Sequence, residues 1–63
     1  ISDKEEIRNI INEVFNDNPK VIDDFKSGKN VNGFIMGLIM KKTSGKVNPG
    51  VTNIVLKEEL EKL

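Results

Sequence analysis

Two Asn-Pro dipeptides, Asn18-Pro19 and Asn48-Pro49, divide the chain into segments. Proline interrupts a helix interior but suits the first helical position, and asparagine before it is a favoured N-cap. Each dipeptide therefore reads as the end of one segment and the start of a helix. Before the first and between the two, the apolar residues keep helical spacing. Ile7, Ile10, Ile11, Val14 and Phe15 sit at i, i+3, i+4, i+7 and i+8, and Val31, Phe34, Ile35, Leu38 and Ile39 repeat that template position for position. No segment alternates with period two, so strands are not expected.

The reading that follows is an all-α fold, a compact bundle of about four short helices at approximately 3–16, 19–27, 31–43 and 49–62. Ser2 with Glu5 has the form of a capping box for the first helix, and Asn30 can cap the third. Gly28 and Gly45 are placed as left-handed stops. The third helix is apolar on most sides, because Gly33, Met36, Gly37 and Met40 lie across from its main stripe, and this predicts a central helix wrapped by the others. The expected core is Ile7, Ile11, Val14, Phe15, Val21, Phe25, Phe34, Ile35, Leu38, Ile39, Val51, Val55 and Leu56. Truncating a central Phe34 would then cost about 3–5 kcal/mol.

With 63 residues, no cysteine and no histidine, neither a disulfide nor a zinc site is available to reinforce so small a core. Helix packing must hold it. The longest apolar run, Phe34 to Met40, is far short of the roughly 20 residues that cross a bilayer. Ile1 is not an initiator methionine and no secretory leader is visible, so residues 1–63 read as a single domain cut from a longer chain.

The residues offer little to catalysis. Histidine, cysteine, tyrosine and tryptophan are all absent, which removes most nucleophiles and general bases. Asp23 and Asp24, and likewise Glu58 and Glu59, are sequence neighbours that diverge by about 100° on a helix, so they read as solvated surface rather than facing dyads. Gly45-Lys46 lacks the spacing of a phosphate-binding loop. No catalytic residue, metal ligand or cofactor is expected.

Charge is more informative. It sums to zero, yet residues 26 to 46 carry Lys26, Lys29, Lys41, Lys42 and Lys46 and no acid. Lys41 and Lys42 also suit a helix C-terminus. Lys26, Lys29 and Lys46 answer no dipole there. Thr43, Ser44 and Gly45 add hydroxyls and backbone N–H groups, and Asn48-Pro49 opens a helix whose positive end suits a phosphate. The candidate nucleic-acid contacts are Lys29, Lys41, Lys42, Thr43, Ser44, Gly45, Lys46 and Asn48. Gly33 and Gly37 leave two readings open, room for a neighbouring helix or a bare backbone that admits a ligand such as RNA.

Taken together, Val21-Ile22-Asp23-Asp24-Phe25-Lys26-Ser27-Gly28-Lys29, Gly33-Phe34-Ile35-Met36-Gly37, Met40-Lys41, Gly45-Lys46-Val47-Asn48-Pro49 and Leu56-Lys57-Glu58-Glu59-Leu60, with Ile1-Ser2-Asp3 at the start, resemble the GatB/YqeY domain. This domain closes the B subunit of the tRNA-dependent amidotransferase. The resemblance spans essentially the whole chain. It implies a noncatalytic all-helical module that grips the tRNA elbow while other domains use ATP and an amide donor to convert glutamate on tRNA(Gln), or aspartate on tRNA(Asn), to the amide. Its implied partners are tRNA, the rest of its own subunit and the A and C subunits, in the bacterial cytoplasm and away from any membrane. The segment offers no aromatic platform or arginine fork, so the RNA would be read by shape and phosphates. The alternative is a protein interaction or packing module, including a stand-alone YqeY-like protein, with no RNA contact.

Overall fold

The computed structural model describes residues 3–63, and the helical reading holds throughout them. Four helices follow in order: α1 (Lys4–Asp17), α2 (Pro19–Lys26), α3 (Asn32–Lys42) and α4 (Pro49–Glu61). No strand occurs among the described residues, and no helix is long and apolar enough to cross a membrane.

The helix ends follow from local chemistry. Asp3, in extended conformation, caps α1 by accepting the Glu5 N–H at 2.8 Å, whereas the predicted Ser2 cap lies outside the described residues. Asn48 caps α4 as expected, its Oδ1 accepting from Gly50 at 2.9 Å and Val51 at 3.2 Å. Asn18 behaves differently, because its amide turns back to donate to the Val14 carbonyl at the end of α1. Asn30 accepts from Asn32 N–H at 3.2 Å, although Val31 holds the cap position of α3. Gly28, at φ 91°, ends α2 through paired bonds from Gly28 N–H to Phe25 and from Lys29 N–H to Asp24. At the end of α3 the left-handed position falls on Ser44, φ 56°, one residue before the predicted Gly45, which follows at φ 75°.

The core is built on α1. Ile7, Ile11, Val14 and Phe15 are buried along its inner stripe, and α1 packs against each of the other three helices, most extensively against α4. This corrects the expectation that α3 is central. A chain this short has no further layer to place on the far side of α3, so only its Ile35 and Ile39 edge is buried, joined by Val31 just before the helix. Phe34 is rotated by about 100° from Ile35 and leaves that edge, so it is 58% exposed rather than a core residue. Phe25, Leu38 and Val51 pack at the margin, while Val47 and Leu60 join the core unpredicted. Thr52 is also fully buried, its hydroxyl donating to the Asn48 carbonyl at 2.7 Å.

Candidate nucleic-acid interface

The predicted basic residues do not share one role. Lys42 turns toward α1, where its Nζ lies 3.4 Å from Glu13 and 3.6 Å from Asp17. Lys29 meets Asp24 at 3.7 Å. Both lysines thus face carboxylates of neighbouring helices, which lowers their pull on an outside anion. Lys41, a quarter turn from Lys42, is exposed and forms no ion pair among the described residues. Lys46 is exposed on the loop before α4.

The backbone between those lysines is already engaged. Thr43 N–H donates to Ile39, Ser44 to Lys41, Gly45 to Met40 and Lys46 to Thr43, and the Thr43 hydroxyl donates to the Ile39 carbonyl at 2.8 Å. These bonds close the end of α3 and leave no N–H in 43–46 for a phosphate. The N-terminus of α4 is spent in the same way on Asn48 Oδ1, so the predicted phosphate seat at Asn48 finds its donors occupied. What segment 41–46 presents outward is the ammonium group of Lys41 and the exposed Ser44.

Gly33 and Gly37 are not a packing seam. A Cβ built at either position meets nothing within 4 Å, so among the described residues no helix nests there. Counting 100° per residue, Gly33, Gly37, Lys41 and Phe34 lie on one outward face, opposite Ile35 and Ile39. That face combines open backbone, a lysine and an aromatic ring.

Sequence reasoning missed the most connected polar group. Glu59, expected on the surface with Glu58, is 6% exposed and accepts from Arg8 Nε at 3.3 Å, Asn12 Nδ2 at 3.2 Å and Lys62 Nζ at 2.8 Å. The Lys62 hydrogen bond, aided by Asn12 and Arg8 and opposed by burial, holds its carboxyl below the usual glutamate range. Glu58 stays outside, 3.9 Å from Arg8. The signal is present in the spacing, since Thr52, Val55, Leu56, Glu59 and Leu60 fall on one stripe of α4. This cluster clamps α4 to α1 and belongs to the fold. Among the described residues no group of three or more acidic side chains is placed to hold a metal ion.

The family model described as the GatB domain matches residues 1–60. The chain is 52% identical over 62 residues to a B subunit of the aspartyl/glutamyl-tRNA(Asn/Gln) amidotransferase of Clostridium acetobutylicum, covering 97% of this chain and 13% of that protein. It is 51% identical over 63 residues to the corresponding B subunit of Enterococcus faecalis and 49% identical over 63 residues to that of a Thermoanaerobacter species, each alignment covering 98% of this chain and 13% of the relative. No solved structure matches. The chain therefore spans about an eighth of the length of these curated relatives, and by the family match and by identity it belongs to the GatB domain family.

Proposed function

We propose that this chain is a noncatalytic tRNA-docking module within the B subunit of an amidotransferase that works on aspartyl- or glutamyl-tRNA. Its relatives carry that activity in their names, and the chain contains no histidine, cysteine or tyrosine. Its partners are then tRNA, the remaining domains of its own subunit and the A and C subunits, with no cofactor in this part and the bacterial cytoplasm as its place.

The observation that carries the reading is the acid-free stretch from α3 to α4. Residues 32–48 contain Lys41, Lys42 and Lys46 and no carboxylate, and Lys41 projects from the exposed face of α3. A phosphate backbone draws on such ammonium groups without reading sequence, which suits grip on the tRNA elbow. Filter binding to a tRNA transcript at two salt concentrations tests this. Reversing Lys41 and Lys46 to glutamate is expected to weaken binding and to flatten the salt slope by about 1 per lysine. Equal affinity and slope would remove the segment from the contact. One observation favours a packing module instead: Ile54 is 55% exposed and Leu63 43%. A binding curve insensitive to salt, with Ile54→Glu disturbing assembly of the amidotransferase, would support that reading.

A further inference from the structure

The turn between α1 and α2 and the first turn of α3 enclose an open cleft of about 470 Å³. Pro19, Val21 and Phe34 give it apolar walls, and Asp17, Lys20 and Asp24 stand along it. Of the three phenylalanines, Phe15 is buried and Phe25 half-buried, whereas Phe34 leaves its ring 58% exposed beside this cleft. A chain with so few aromatic rings forfeits apolar burial by turning one outward. The space above Gly33 and Gly37 is open, so a flat group can lie along α3 against that ring.

The carboxylates define what such a group should carry. Asp17 lies 3.6 Å from Lys42 and Asp24 3.7 Å from Lys29, both beyond hydrogen-bond length, so their oxygens keep most of their accepting capacity. Ionised carboxylates accept and do not donate. Guanine presents adjacent N–H groups on one edge and suits them. Uracil places one N–H between two carbonyls and would set lone pairs against lone pairs. Lys20 is exposed at the rim, where an attached phosphate can reach it.

We propose that this cleft takes one unpaired nucleobase, guanine above the others, stacked on Phe34 with its N–H edge toward Asp24 and its phosphate toward Lys20. The proposal rests on the RNA-docking reading and adds base recognition to what the lysines supply. It also adds an aromatic surface outside segment 41–46, which itself offers none.

The test is an amide chemical-shift titration of the 15N-labelled chain with guanosine monophosphate and, in parallel, uridine monophosphate. Saturable shifts at Lys20, Val21 and Phe34 are expected with the guanine nucleotide, and binding about tenfold weaker with the uracil nucleotide. Phe34→Ala should weaken guanine nucleotide binding about tenfold and Phe34→Trp should keep it. Asp24→Asn should narrow the difference between the two nucleotides. Because Phe34 is exposed, these variants are expected to keep the wild-type circular dichroism spectrum. Shifts of equal size for both nucleotides, shifts confined to other surfaces, or an unchanged titration in Phe34→Ala would each overturn the proposal. If the wild-type chain binds tRNA and Phe34→Ala binds it equally well, the base site falls and the docking reading stands. If the wild-type chain fails to bind tRNA while the guanine nucleotide still titrates the cleft, the docking reading falls and the base site stands.

Discussion

Glu59→Ala is the substitution that most directly tests how α1 and α4 are held together. The carboxylate accepts from Arg8, Asn12 and Lys62 at 3.3, 3.2 and 2.8 Å, and removing it breaks all three bonds. Hydrogen bonds to a charged group contribute about 1.5–3 kcal/mol each when buried, and three such bonds would unfold most small domains. The partners here are less confined. The Lys62 side chain is 64% exposed and that of Arg8 29%, so both rehydrate when the carboxylate leaves, and a solvent-facing ion pair such as Lys62 contributes about 0.2–1 kcal/mol. The variant is also relieved of burying a charge. The expected loss is about 2 kcal/mol, against a total of roughly 3–9 kcal/mol for a chain of this length. Urea titration measures it, and Arg8→Ala alone and in combination should show a coupling of about 1 kcal/mol.

The acid limb provides a second readout of the same residue. The Glu59 carboxyl is held below its ordinary value in the folded state, so its contribution is fully present above the unfolded value of about 4.3 and is lost as pH falls through the lower folded value. The stability difference between wild type and Glu59→Gln should therefore shrink in that acid window and stay constant between pH 6 and 8. A loss below about 0.5 kcal/mol for Glu59→Ala, or a pH-independent difference for Glu59→Gln, would refute the clamp and make the cluster an incidental surface pairing.

Other perturbations separate the parts of the fold. Ile35→Ala should cost about 2–5 kcal/mol in urea titration, whereas Phe34→Ala one position earlier should change stability by less than about 0.5 kcal/mol. Gly37→Ala should raise stability by about 1 kcal/mol, since the position is helical with open space around it, and a fall in the thermal midpoint would mean that something covers this face. Asn48→Ala should cost about 1 kcal/mol through the lost bonds to Gly50 and Val51, measured in the same titration, and should not alter tRNA affinity.

The helices are legible because their punctuation is local. Asn48-Pro49 and Gly28 act within a few residues of themselves, and the structure uses both as the spacing implies. What the spacing does not supply is which edge of a broad stripe finds a neighbour. Val31, Phe34, Ile35, Leu38 and Ile39 satisfy one template, but a four-helix chain has partners for only one edge, and the turn from Ile35 to Phe34 crosses from core to solvent. The lysines show the same limit. Lys42 looks equivalent to Lys41 along the chain, and only the packing of α3 on α1 brings Glu13 and Asp17 to it, whereas Lys29 meets Asp24 locally across the turn that ends α2. Segment 43–46 is the helix end that its residues suggest. That role is also what consumes the N–H groups assigned to a ligand.

The pairing of α1 with α4 also has a bearing on how the molecule is made. Arg8 and Glu59 are 51 positions apart, so the main interface closes almost the entire chain on itself, an entropic toll of about 3–4 kcal/mol before any of its contacts are gained. During synthesis the first helix emerges long before its principal neighbour exists. Native packing is therefore expected to set in as one late event, once the final turns have cleared the ribosome, instead of accumulating helix by helix.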